Sequence, residues 1–165
     1  MVGEKIVVVD EEDNLVGTEL RSVVDEKKLW YRVSALWLKN SDGDVLLARR
    51  ALTKSNYPGR WGPAVAGTVD EGESYRDNIV KEAEEELGLS NVDMNEGPRS
   101  NVEGEYNHFT QWFVGVIDEP ENFFKVQEEE VEEVKWFSVD ELRDMIENYP
   151  EKVVNSLTRL PEELI

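Results

Sequence analysis

The segment GTVDEGESYRDNIVKEAEEELGL, residues 67–89, decides how the rest of the chain is read. Its middle has helical spacing, yet it carries glutamate at Glu82 and at Glu84, Glu85 and Glu86. Like charges three and four residues apart repel on a helix. Either the face is simply solvated, or something positive sits among the carboxylates. Ser74 suits an N-cap, Asp77 follows three residues on, and Gly88 before Leu89 is a glycine stop. Between them Ile79, Val80, Ala83 and Leu87 recur as an apolar stripe. At about 100° per residue, Glu86 falls on the edge of that stripe, Glu82 beside it and Glu85 one step further round; Glu84 points to solvent. Carboxylates at a border between core and surface protonate unless they are partnered, and Lys81 can neutralise only one. A bound divalent cation would resolve the conflict. Three hard oxygen donors, no cysteine and one histidine favour Mg²⁺ or Mn²⁺ over zinc or copper. Magnesium keeps waters and bridges to phosphates, which implies a phosphorylated substrate and a metal-activated water as attacking group.

Composition bounds the alternatives. A chain of 165 residues suits one domain, residues 1–165, with a sizeable core. The absence of cysteine excludes disulfides, thiolate metal sites and cysteine nucleophiles, and His108 alone cannot build a site needing two imidazoles. The net charge of −19 repels a nucleic-acid backbone, so duplex binding is not expected. The start, MVGEKIVVVDEED, holds an apolar run too short for a signal peptide or membrane span, so a cytoplasmic enzyme or binding domain is expected.

Around the central segment the pattern is mostly strand. KIVVVD (5–10) and NLVGTEL (14–20) read as an opening strand pair. YRVSALWLKN (31–40) and DVLLARRA (44–51) flank an Asp-Gly turn, where a calcium loop is rejected for want of further ligands. KSNYPGRWGPAVAG (54–67) reads as an ordered loop entering a short strand at Ala64–Ala66. HFTQWFVGVID (108–118) is apolar on both faces and is expected inside a sheet; VKWFS (134–138) is shorter. Ser138 and Glu141 form a capping box for a helix through Tyr149, and a last amphipathic helix is expected from Pro150 to about Leu160. Strands before and after a central helix indicate an α+β or three-layer α/β/α fold.

The quoted segment also resembles the Nudix box, G-x5-E-x7-R-E-U-x-E-E-x-G-U, where U is bulky and aliphatic. Gly67, Glu73, Glu82, Glu85, Glu86, Gly88 and Leu89 stand at the required spacings, with Ala83 in the first aliphatic place and Lys81 replacing arginine. The resemblance implies a Nudix-type α/β/α sandwich with a mixed sheet and cleavage of a diphosphate linkage in a nucleoside diphosphate derivative. It implies Glu82, Glu85, Glu86 and the Gly67 carbonyl as metal ligands, with Glu82 a general base in some members. Glu73 is implied to be structural, pairing with Lys81 without arginine's fork. VVDEEDNLVGTELRSVV and LARRALTKSNYPGRWGPAVAGTVDEGESY are similar to the subgroup of isopentenyl-diphosphate isomerase, whose cysteine this chain lacks. Hydrolysis is therefore expected before isomerisation, with a silent nucleotide-binding domain as the third reading. By analogy with E-V-x-x-V-K-W in that subgroup, Glu130 is a further catalytic candidate. Arg49, Arg50, Lys54 and Arg60 cluster just before the box and either bind substrate phosphates or are plain surface charge. Arg49, Lys54 and Arg60 are taken as the substrate-binding candidates. His108 is expected at the surface or half-buried, and the five tryptophans as packing residues.

Overall fold

The computed structural model describes residues 3–165. They form nine strands: β1 (Lys5–Val9), β2 (Leu15–Leu20), β3 (Trp30–Lys39), β4 (Val45–Arg50), β5 (Trp61–Pro63), β6 (Val65–Thr68), β7 (Met94–Val102), β8 (Asn107–Val116) and β9 (Val131–Phe137). Four helices accompany them: α1 (Arg21–Lys27), α2 (Tyr75–Leu87), α3 (Val139–Asn148) and α4 (Asn155–Thr158).

The sheet is mixed and is organised on β3. Its whole length pairs in parallel with β8, from Trp30 opposite Asn107 to Lys39 opposite Val116. Its other edge pairs antiparallel with β6 at Val33 to Leu36, with β1 near its start and with β4 at its end. β4 continues the sheet to β5 and β9, while β7 flanks β8. β8 is thus the interior strand its two apolar faces require.

Side-chain alternation splits the core into two layers. Ala35, Trp37 and Trp112 face α3 and the C-terminal segment, packing on Leu142, Met145, Leu157 and Leu164. Leu36, Leu38 and Phe113, on the other face, pack on Ile79, Ala83 and Leu87 of α2. The expected α/β/α sandwich is what the chain forms.

The helix expected from Pro150 to Leu160 is a misreading. The chain makes a 3-10 turn at Pro150–Lys152, extends through Val153 and Val154, and forms only the single turn of α4. A competing partner breaks it: Val153 bridges Trp61, and the Val154 amide donates to the Trp61 carbonyl at 2.9 Å. Three elements lie outside the sequence reading: α1, β7, and β5, which forms where a loop is expected, with Ala64 as a bend between it and β6. In α1 only Val24 is buried, too little for a periodic signal. β7 contains Gly97-Pro98, which normally punctuates a strand. It is tolerated because β7 is an edge strand and its register breaks between Glu96 and Arg99.

Candidate active site

Helix α2 is fixed at both ends by its own sequence. Ser74 Oγ accepts from the Asp77 amide at 3.0 Å, and the Asp77 carboxylate accepts from the Ser74 amide at 3.0 Å. Gly88 takes the left-handed conformation that stops the helix (φ +67°), its amide donating to Glu84 and that of Leu89 to Ala83. Ile79, Ala83 and Leu87 face the core as expected; Val80 does not and is exposed. The buried position beside Ile79 belongs to Asn78, which is fully buried. Its amide donates to the Thr68 carbonyl at 2.9 Å and Glu73 Oε1 at 3.2 Å, while its oxygen accepts from Ser34 Oγ. This polar tie locks α2 onto β3 and β6 and sets the rotation of its glutamates.

That rotation carries Glu82, Glu85 and Glu86 to the wall of a cleft of about 550 Å³. Glu82 lies directly over Gly67. A Cβ on Gly67 would strike Glu82 Cγ and come within 2.8 Å of its Cδ and 2.9 Å of Asn78 Oδ1. Glycine is needed here for close approach of helix and strand. Burial raises the Glu82 carboxyl to about 7, with Lys81 opposing and Glu85 adding to the rise. Glu86 is 8 % exposed, and its Oε2 is buried with no hydrogen-bond partner. Burial pushes its carboxyl well above the usual range, reinforced by Glu82 and Glu130. Glu85 stands at the open side, and Glu84 faces solvent.

Lys81 contacts Glu73 at 2.8 Å and a partner absent from the box pattern, Asp70, at 3.0 Å. Burial alone would favour the neutral amine, but these two carboxylates hold its proton more tightly than usual. Burial alone would likewise raise Glu73, yet the Lys81 ammonium and the Asp70 amide, at 2.8 Å, keep it low. A single ammonium thus spans two carboxylates where arginine's fork would grip one.

Basic groups share the cleft with these carboxylates. Arg50 and Lys54 line the cleft; Lys54 Nζ is paired with Glu130, and Arg50 is within reach of the charges of Glu86 and Glu130. Arg49 lines the cleft too and meets Glu132 at 3.3 Å. Arg60 is not part of the cleft wall and lies over the Tyr57 ring at 5.2 Å. The structure therefore brings together Gly67, Glu82, Glu85, Glu86, Glu130 and Lys54, braced by Glu73 and Lys81. It brings Arg49 to the same lining and leaves Arg60 outside. Arg21, Tyr31, Tyr57 and Tyr106, which no sequence signal marked, line the same cleft.

Among the described residues no three acidic or imidazole side chains are drawn into a ready-made metal cage. What the cleft offers is an unpartnered buried carboxylate oxygen, a second half-buried carboxyl, a third at the mouth, and a backbone approach that only glycine permits. These hard oxygen donors fit a magnesium-type ion, which takes few protein ligands and retains water.

A mixed-sheet α/β/α sandwich that presents glutamates from a loop–helix–loop segment to such a cleft is the architecture of the Nudix class. The NUDIX domain model matches residues 28–157, and the chain belongs to the Nudix family. It is 35% identical over 136 residues to an uncharacterized Nudix hydrolase of Pseudomonas aeruginosa, covering 81% of this chain and 78% of that one. It is also 28% identical over 171 residues to isopentenyl-diphosphate Delta-isomerase 2 of Photorhabdus laumondii, covering 94% and 93%. In fold it is similar to DR0079 from Deinococcus radiodurans, with a TM-score of 0.79, 23% identity and coverage of 94% and 96%. The NUDIX domain of Shewanella oneidensis NrtR, solved with ADP ribose, has a TM-score of 0.62 at 16% identity, with 79% and 82% covered. No helix among the described residues is long and apolar enough to cross a membrane.

Proposed function

We propose that this chain is a divalent-metal-dependent hydrolase that cleaves the diphosphate linkage of a nucleoside diphosphate derivative. The observation that carries the reading is the make-up of one cleft, lined by Glu82 and the unpartnered Glu86 together with Arg50 and Lys54. Carboxylates that desolvation penalises call for a cation, and two basic groups beside them call for an anion. A metal–diphosphate complex supplies both.

Glu82, Glu85, Glu86 and the Gly67 carbonyl would hold Mg²⁺ or Mn²⁺, which when bound neutralises developing charge and acidifies a water. The protein's part is then defined. Arg50 and Lys54 neutralise and orient the diphosphate. Glu130 takes the proton of the attacking water. The Asp70–Lys81–Glu73 brace holds the start of α2, so that Glu82 and Glu86 keep their spacing. Water adds to one phosphorus, the bond from that phosphorus to the bridging oxygen breaks, and the leaving phosphate carries the bridging oxygen away.

The likeness to an isopentenyl-diphosphate isomerase gives the competing reading. Hydrolysis incorporates solvent oxygen and isomerisation does not, so the test is turnover in ¹⁸O-water. Nucleoside diphosphates, nucleotide sugars, dinucleotides and isopentenyl diphosphate are each supplied with Mg²⁺, and products are identified by mass. Labelled phosphate from a nucleotide supports the proposal. Unlabelled, rearranged alkene overturns it in favour of the isomerase, and saturable binding with no product overturns it in favour of a silent binding domain.

A further inference from the structure

Lys54 and Glu130 stand 76 residues apart, on the loop after β4 and the loop before β9, and meet at the cleft. The Lys54 ammonium donates to Glu130 Oε2. Main-chain bonds fix where each side chain starts. The Ala51 amide donates to the Glu130 carbonyl at 3.0 Å, and the Lys54 amide to the Ala51 carbonyl at 3.1 Å. The Glu130 amide donates in turn to the Gln127 carbonyl at 2.9 Å, and the Gln127 amide to the Glu86 carbonyl at 2.9 Å. One run of backbone bonds thus ties both loops to the helix that bears the glutamates. What remains adjustable is the side-chain contact at its end.

Among the basic groups of the cleft, Lys54 is the least committed. The Arg50 guanidinium is held by two bonds to Asn56, from Nε at 3.0 Å and from Nη2 at 2.7 Å. Arg49 lies between Glu132 at 3.3 Å and Glu133 at 4.0 Å. Arg21 donates to Thr68, Tyr31 and Asp25, and Lys81 spans Asp70 and Glu73. An ammonium carries three N–H groups on a flexible stem. Among the described residues that of Lys54 has Glu130 as its one acceptor. The lysine side chain is 26% exposed and the glutamate side chain 38%. A pair so open to solvent holds itself closed by no more than roughly fivefold.

The reaction asks these two groups to do separate things. Lys54 is to meet a phosphate, and Glu130 is to accept from the attacking water, yet each occupies the other. A diphosphate presents several charged oxygens to the ammonium, against the one that Glu130 offers.

Resting on the reading of the cleft as a diphosphate site, we propose that Lys54 and Glu130 form a latch that the substrate itself releases. When no anion is bound, the lysine caps the glutamate. A diphosphate draws the ammonium onto a phosphate oxygen, and the vacated Oε2 accepts from the water. The ammonium keeps its three protons throughout, and only its acceptor changes. Glu130 is therefore uncovered when a substrate is in place, and opening the pair weakens binding.

The test is calorimetric titration of methylenediphosphonate, whose carbon bridge resists hydrolysis, with Mg²⁺ present. The proteins are the wild type, Glu130→Gln, Lys54→Gln and the double variant. Both side chains are partly exposed, so neither amide substitution empties a packed site. Glu130→Gln is expected to bind the probe roughly three- to fivefold more tightly than wild type, because the ammonium no longer leaves a charged partner. Lys54→Gln is expected to bind it roughly tenfold or more weakly. With Lys54 already replaced, Glu130→Gln is expected to change affinity by less than about twofold, since its gain comes through the lysine. An equal gain in both backgrounds is plain charge repulsion and overturns the latch. So does a Glu130→Gln protein that binds no better than wild type. Phosphate release from nucleotides is followed in parallel. Release together with either of those results sinks the latch and leaves the hydrolase standing. A lysine-dependent gain without release from any nucleotide upholds the latch and removes the hydrolase, and no binding by any of the four proteins removes both.

Discussion

Replacing Gly67 by alanine tests the close approach of α2 to β6. Gly67 does not have positive φ, so alanine carries no backbone penalty there, and the whole cost is steric. The new methyl group would strike Glu82 Cγ and sit 2.9 Å from Asn78 Oδ1. Neither neighbour yields easily: Cγ is near the root of its side chain, and Asn78 is tied to Ser34, Thr68 and Glu73. Overpacking of this kind costs about 1–3 kcal/mol. Restricting the unfolded chain returns roughly 0.4–1 kcal/mol. A net loss of about 1–2 kcal/mol is expected, which for a domain of this size lowers Tm by roughly 2–8 °C. Displacing Glu82 by even about 1 Å is expected to reduce kcat on the order of a hundredfold. Urea unfolding followed by tryptophan fluorescence, with phosphate release on the same preparation, measures both. Gly17→Ala is the control, because a Cβ there meets nothing within 4 Å. Stability within about 0.3 kcal/mol of wild type, together with unchanged kcat, would refute the argument that Glu82 is placed by the bare backbone beneath it.

Three further outcomes follow from the same geometry. Glu86→Gln removes a buried charge that lacks a partner and is expected to raise Tm without added metal, to abolish the rise that Mn²⁺ gives the wild type, and to lower kcat by orders of magnitude; thermal melts with chelator and with Mn²⁺ decide it, and full turnover in excess chelator contradicts the metal reading altogether. Lys81→Ala leaves Glu73 and Asp70 without their shared cation and is expected to cost about 1 kcal/mol, the pair being partly solvated, and to weaken metal binding, whereas Lys81→Arg is tolerated; a metal titration of Lys81→Ala matching wild type removes the brace from the mechanism. His108 titrates near 4 when folded, against 6.5 in the unfolded chain, so unfolding takes up a proton between those values and stability falls as pH drops through them. His108→Gln loses that component, worth up to about 3 kcal/mol at 1.36 kcal/mol per pH unit; urea midpoints from pH 4 to 7 with the same slope in both proteins would show that burial does not hold the imidazole neutral.

What was legible in the sequence was whatever the chain encodes locally. The Ser74 and Ser138 capping boxes and the Gly88 stop need only neighbours within a turn, and all three are in place. The rotation of Glu82 and Glu86 towards the edge of the apolar stripe followed from helical geometry alone. Val80, apolar by type, faces solvent because Asn78 has buried partners on two distant strands. The break at Val153 was invisible for the same reason, since Trp61 claims its backbone from across the fold. The basic cluster is legible in the sequence, but only the fold shows that Arg49, Arg50 and Lys54 line the cleft and Arg60 does not. Tyr31, Tyr57 and Tyr106 come from β3, the loop before β5 and the approach to β8, and no spacing along the chain unites them.

The parallel pairing of β3 with β8 governs how this protein is made. The two strands are the longest contact in the sheet, yet β8 begins long after β3 has left the ribosome. At ordinary synthesis rates of about 5–20 residues per second, the nascent chain carries β3 without its principal partner on the order of ten seconds. Through that interval Leu36, Trp37 and Leu38 belong to an unfinished edge of the kind that recruits other chains. Topology of this type also folds slowly, because distant segments must meet before either is rewarded. The surplus of acidic residues, −19 in net charge, then acts at the stage of greatest exposure, as mutual repulsion between half-made copies.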